Sequence, residues 1–153
     1  MSEVALKLPN FHGNYAHGVD GSRRVMIPSK WRPKTPKVVF TVILWPIQVE
    51  EFLLVLPPER WQVMLDKLKG GSLQDRRQAM LERVIGSTSA PMTLDKQGRF
   101  CLPENLAGTV GIGKEAEFVG RLDKFEIWSP ERYRESVAED KSAAASFAAE
   151  INL

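Results

Sequence analysis

The feature that most constrains this chain is that it writes nearly the same passage twice. Asp20-Gly-Ser-Arg-Arg24-Val-Met-Ile-Pro28 returns at an offset of 75 as Asp95-Lys-Gln-Gly-Arg99-Phe-Cys-Leu-Pro103. Asp, the second Arg, an aliphatic residue and Pro fall in register. Leu53-Leu-Val-Leu-Pro-Pro58-Glu-Arg-Trp61 returns at an offset of 72 as Phe125-Glu-Ile-Trp-Ser-Pro130-Glu-Arg-Tyr133. The chain is therefore two copies of a unit of roughly fifty residues, with a connector between them. A unit of that size with very short strands cannot bury enough apolar area to offset the ordering of its backbone. The two copies are expected to pair about a pseudo-twofold axis around one shared core. The expected class is α+β, a β-rich barrel with flanking helices.

Each copy has a local logic. Tyr15 to Val19 predicts a short strand, the Asp-x-x-x-Arg stretch a tight polar turn, and Val25 to Ile27 and Phe100 to Leu102 three-residue strands. Pro28 and Pro103 sit where a helix can start, because the missing N–H is not needed there and φ is already set. Val38 to Trp45 and Leu53 to Leu56 are β-branched, aromatic or leucine-rich and predict buried strands, the second ended by Pro57-Pro58. Glu115 to Gly120 and Lys124 to Trp128 take those parts in the second copy. Between the copies, Trp61, Met64, Leu65 and Leu68 form one helical stripe and Met80, Leu81, Val84 and Ile85 another, both expected to face the core. Gly70-Gly71 separates them, and Ser72-Leu-Gln-Asp75 resembles a capping box. Pro130 to about Phe147 predicts a weakly patterned helical tail.

Composition removes several function classes. Of 153 residues, 21 are Lys or Arg and 19 Asp or Glu, a formal net charge of +2, so a polyanion partner must be met by local clustering. That clustering exists. Asp20 to Lys37 holds Arg23, Arg24, Lys30, Arg32, Lys34 and Lys37 against Asp20 alone, whereas Glu115 to Leu153 is net acidic. The lone Cys101 excludes an internal disulfide framework and, beside a buried-type Phe100, is expected to be a packed thiol. Met1 to Asn10 lacks a signal-peptide pattern, and the apolar stretch Val38 to Val49 is too short to span a membrane and contains Pro46. A cytoplasmic protein is expected.

The chemistry-bearing candidate is the Asp-x-x-x-Arg turn. An Asp at a turn start accepts from following backbone N–H groups and stiffens the loop. Gly98 supplies a residue that enters the left-handed region without strain. The turn would then project Arg24 or Arg99, whose planar guanidinium suits phosphate oxygens or the O6/N7 edge of guanine. Gly108-Thr-Val-Gly-Ile-Gly113-Lys114 matches the start of a phosphate-binding loop, but Glu115 stands where Ser or Thr must hold magnesium, and a strand-like run follows. The glycines are better read as a turn. His12 and His17 have no second cluster with which to hold zinc, and no acid/base constellation indicates an enzyme. No cofactor, metal or small-molecule substrate is expected.

These residues together resemble the bacterial MraZ proteins, which are built from two SpoVT-AbrB-type repeats. The first repeat carries Phe11-x-Gly13-x-Tyr15-x-His17-x-x-Asp20, Arg24, Ile27-Pro28, Lys30 and Arg32. The second carries Leu94-Asp-Lys-Gln-Gly-Arg99-x-x-Leu102-Pro103, Val119-Gly120 and Phe125-Glu-Ile-Trp128. On that resemblance residues 11–62 form the first repeat, 63–86 a helical connector, 87–134 the second repeat and 135–153 a helical tail. It implies a swapped-hairpin β-barrel and ring-shaped homo-oligomers. It also implies binding to repeated boxes of double-stranded DNA upstream of a cell-division and cell-wall gene cluster, with repression and nucleoid association. The implied DNA-contacting residues are Asp20, Ser22, Arg23 and Arg24 in the first loop and Asp95, Lys96, Gly98 and Arg99 in the second. The first loop departs from the Asp-x-Lys-Gly-Arg pattern, with Ser22 in place of Lys and Arg23 in place of Gly. Keeping the same turn without glycine would cost roughly 1 kcal/mol or more, so the first loop is expected to relax, with Arg23 partly replacing the missing charge. The alternative function is an oligomeric protein-interaction scaffold with weakened DNA recognition.

Overall fold

The computed structural model describes residues 10–35, 37–45 and 52–153. The expectations about a signal peptide and about Pro46 fall on residues 1–9 and 46–51, outside the described residues. The first copy supplies β1 (Asn14–Gly18), β2 (Arg24–Met26), a single 3-10 turn (Ser29–Trp31), β3 (Phe40–Leu44) and β4 (Leu53–Leu56). Helices α1 (Pro58–Lys69) and α2 (Arg76–Ser87) follow. The second copy supplies β5 (Ser89–Met92), β6 (Arg99–Cys101), α3 (Glu104–Thr109), β7 (Glu115–Gly120) and β8 (Phe125–Trp128), then α4 (Pro130–Val137) and α5 (Asp140–Glu150). Pro28 and Pro103 cap the 3-10 turn and α3, as the fixed φ of proline favours. Pro58 and Pro130 occupy the first turns of α1 and α4.

The copies are interleaved. The six-stranded sheet runs β1-β7-β8-β4-β3-β5, so each copy lends its first strand to the other copy's half. Every pairing is antiparallel. At the centre, Leu53 pairs with Ile127, Leu54 with Glu126 and Val55 with Phe125, a register that maps onto itself when the copies are exchanged. The separate two-stranded ribbon β2·β6 does the same, with Val25 opposite Phe100. The pseudo-twofold axis therefore passes through Leu54/Glu126 in the sheet and Val25/Phe100 in the ribbon.

Three layers result. Val25 and Phe100 turn inward from the ribbon, both fully buried, and join Phe40, Val42, Leu53, Val55, Phe118 and Phe125 in the larger core. The opposite face of the central strands, with Ile43, Leu54, Leu56 and Trp128, is covered by Ile85 of α2 and by Trp61, Met64 and Leu68 of α1. Where the symmetry would place a second leucine, Glu126 is buried instead. Its carboxylate accepts from Trp128 Nε1 at 2.6 Å and Arg121 Nη1 at 3.0 Å, which compensates its desolvation.

Several expectations change. Among the described residues no closed barrel forms: β1 and β5 end an open sheet, and β2 and β6 pair with each other as a layer across its face. Beyond its ladder with β6, β2 meets the chain leaving β1 through the single Val19–Val25 bridge, and no described ladder joins the ribbon to the sheet edge at β5. Met80, Leu81 and Val84 are exposed, and only Ile85 of that stripe is buried. Two copies offer a sheet too small to cover the whole helix face. The capping-box expectation shifts by three residues, because the side chain of Asp75, not Ser72, accepts from Arg77 N at the start of α2. Cys101 is exposed rather than packed, since strand alternation gives the core to Phe100.

Phe100→Ala empties the point where ribbon and sheet meet on the axis. It is expected to cost about 3–5 kcal/mol in chemical denaturation. Both copies should unfold in one transition, because neither owns a separate core.

Candidate nucleic-acid interface

Alternation along the ribbon decides what faces outward. With Val25 and Phe100 inside, Arg24, Met26 and Cys101 are exposed and Arg99 is half-exposed, all on the outer face. The antiparallel register sets Arg24 opposite Cys101 and Met26 opposite Arg99, so both arginines stand on one surface on either side of the axis.

The turns that carry them share one geometry. Asp20 Oδ1 accepts from the backbone N–H of Ser22 at 2.9 Å and of Arg24 at 2.8 Å, and Oδ2 accepts from Arg24 Nε at 2.8 Å. Asp95 Oδ1 accepts from Gln97 N at 2.9 Å and Arg99 N at 3.0 Å, and Oδ2 from Arg99 Nε at 2.9 Å. Backbone bonds close both turns: Arg23 N to Asp20 O and Gly98 N to Asp95 O, each 3.0 Å. Each arginine spends Nε on its aspartate and keeps an edge of the guanidinium free to turn outward. Arg99 also lies 3.9 Å from Asp20, linking the loops across the axis, and its side chain is 26% exposed against 45% for Arg24.

The expected relaxation of the first loop does not occur. Arg23 takes φ 63°, the left-handed region that Gly98 occupies at φ 81°. The strain is held by the aspartate's hydrogen bonds and by Arg23 Nε, which donates to Leu102 O at 3.1 Å. That bond draws Arg23, half-buried, toward the second copy rather than setting it beside Arg24. Ser22 is exposed, and its carbonyl accepts from Cys101 Sγ at 3.5 Å. Lys96 is exposed at the tip of the second turn. Gly98 is favoured by its φ, and Arg32 lies directly over it: a Cβ there would come within 2.6 Å of Cζ of Arg32 and displace that side chain. The placing of Arg32 over the second loop was not legible beforehand; the sequence showed only a basic run from Arg23 to Lys37.

Other candidates resolve differently. Gly108 and Thr109 end α3, and Val110 to Lys114 make the turn after it, with Gly111 at φ 74°, leading into a strand. His17 packs edge-on to Phe118 at 5.6 Å, and burial, with help from Arg32, lowers its pKa. His12 lies before β1, and its carbonyl accepts from Trp31 Nε1 at 3.0 Å. Among the described residues no group of His, Cys, Asp and Glu is gathered to hold a metal, and no helix is long and apolar enough to cross a membrane.

Two interleaved repeats with paired Asp–Arg turns on one face define a class of small duplicated-repeat proteins, and the comparisons with known proteins fall within one such group. The MraZ protein family model matches residues 87–152. The transcriptional regulator MraZ of Lachnoclostridium phytofermentans is 35% identical over 145 residues, covering 94% of this chain and 98% of that protein. That of Clostridium tetani is 34% identical over 126 residues, covering 82% and 85%. The more distant one of a Roseiflexus species is 29% identical over 142 residues, covering 92% and 96%. The chain belongs to the MraZ family, a family of transcriptional regulators and not of enzymes.

The carboxyls of Asp20 and Asp95 are held below their ordinary range, foremost by the backbone N–H of Arg24 and Arg99, with those side chains adding to the effect and partial desolvation opposing it. A lowered folded pKa means that the contribution to turn stability is complete above the unfolded carboxylate value of about 3.9. It is lost as pH falls through the lower folded value. Amide shifts of Ser22, Arg24, Gln97 and Arg99 followed by NMR should hold steady down to about pH 5 and move together only in stronger acid.

Proposed function

We propose that this chain is a DNA-binding transcriptional regulator, a repressor of a cell-division and cell-wall gene cluster. It grips repeated short boxes of double-stranded DNA with the Arg24 and Arg99 turns of a ring-shaped homo-oligomer in the nucleoid. The observation that carries this reading is the presence of two turns of equal geometry on one outward face of a ribbon whose other side is core. Aspartates hold the arginines before any ligand arrives, so little side-chain freedom remains to be lost on binding. The free guanidinium edge suits the guanine edge in a major groove wide enough for a two-stranded β-ribbon. Lys96 beside Arg99 would neutralise phosphate.

A single ribbon offers a small contact, and repeated boxes add the contacts together when their spacing matches the protomers. Self-association has a surface to use. Met80, Leu81 and Val84 of α2 are 49%, 38% and 40% exposed, next to Val63 of α1 at 39%. Such a contiguous apolar face is typical of protein contacts.

Arg24→Ala together with Arg99→Ala should lower the ratio of promoter-box to unrelated-duplex affinity by at least about tenfold, since each bidentate base contact is worth about 1–3 kcal/mol. Fluorescence anisotropy with the chain's own upstream region checks this, and an unchanged ratio overturns the assignment. Leu81→Asp should reduce the particle mass in light scattering while circular dichroism of the fold stays unchanged. Apparent DNA affinity should fall with the mass.

A further inference from the structure

The two loops carry the same turn but not the same surroundings. Beside the second loop lies a cleft of about 590 Å³ whose lining includes Arg32, Lys34, Lys37, Thr93, Asp95 and Lys96. Four of these six are cations. The one carboxylate, Asp95, already bonds Arg99 and two backbone N–H groups. Among the described residues Arg32, Lys34, Lys37 and Lys96 have no carboxylate within ion-pair distance. Their charge is thus uncompensated and close together.

The start of the basic segment is anchored in the core. Trp31 is buried among Phe11, Tyr15, Phe118 and Phe125, so the chain leaves the core at a fixed point and presents Arg32 outward. Arg32 packs over the Gly98 backbone, and its Nη2 reaches Met26 Sδ at 3.8 Å on the outer face of the ribbon. The cleft is therefore continuous with the arginine face. The same positions around the first loop differ. At the repeat offset of 75, Arg32 corresponds to the buried Ala107, Lys34 to Thr109 and Lys30 to Asn105. Among the described residues the first loop has Lys114 beside it and Arg132 bonded to Thr109 O, but no counterpart of the Arg32–Lys34 pair at these positions, so the two flanks are unequal.

We infer that Arg32, Lys34, Lys37 and Lys96 form a clamp for the sugar–phosphate backbone of duplex DNA, so that each protomer holds DNA asymmetrically, anchored at its second loop. This rests on the DNA-binding reading above and assigns to that face a second element with a separate role. Arg24 and Arg99 discriminate sequence; the clamp supplies sequence-independent attraction. It also breaks the equivalence that the repeat would otherwise impose, giving the ribbon one preferred orientation along a strand.

The test is Lys34→Ala together with Lys37→Ala in the full chain, measured by anisotropy against a promoter-box duplex and an unrelated duplex over a series of salt concentrations. Both lysines are at the surface, and circular dichroism confirms that the fold is kept. Affinity should fall for both duplexes by the same factor, and the slope of log affinity against log salt should become shallower by about one per lysine. An unchanged slope overturns the clamp. A loss confined to the promoter box also overturns it, because these residues would then be reading bases. An equal change of slope from Lys114→Ala, which stands near the first loop, overturns the asymmetry. Failure of the unaltered protein to bind any duplex would instead remove the DNA-binding reading itself.

Discussion

The structure depends on the contact of Val25 and Phe100, one from each copy, across the axis and down onto the sheet. Within its own repeat Val25 has a single bridge, to Val19, and its ladder partner comes from the other copy. Val25 needs Phe100 across the ribbon, and both need the inner face that β4 and β8 build jointly. Apolar burial of this kind is non-directional. Hydrogen-bond register supplies the direction, setting Val25 opposite Phe100 and leaving Arg24 and Arg99 no place but the outer face. Core formation and presentation of the arginines are one event.

The turns follow a second economy of groups. A carboxylate at the start of each loop serves two backbone donors and one guanidinium at once. The loop is ordered by its own residues, and its arginine is aimed by the same bonds. This is strong enough to hold Arg23 in a left-handed conformation in the first loop, where the second has glycine. The departure at Ser22-Arg23 changes which charges surround Arg24 while leaving the turn itself intact.

Much of this was legible from particular residues. The offsets of 75 and 72 located the units, the prolines marked helix starts, and Asp20 and Asp95 identified the turns, because each is a local rule of backbone sterics or of one side chain with its neighbours. What escaped were matters of competition for a shared surface. Cys101 and Phe100 could each have faced inward, and the larger apolar side chain took the core. Met80, Leu81 and Val84 carry a sound helical pattern, yet the sheet beneath α2 has room for Ile85 alone among that stripe. Barrel closure is a matter of the same kind, since it depends on ladders between distant strands, and beyond the β2–β6 ladder the ribbon meets the end of β1 through the single Val19–Val25 bridge.

The amino-acid order alone determined that there are two like units, that each bears an aspartate-held arginine turn, and that the units must share a core, since those consequences follow from neighbours in sequence and from length. Tertiary structure alone decided that the strands interleave, that both arginines reach one face, and that Arg32 lies over Gly98 beside Lys34, Lys37 and Lys96. Those relations join residues some sixty positions or more apart, and only packing can bring such distant parts of a chain into contact.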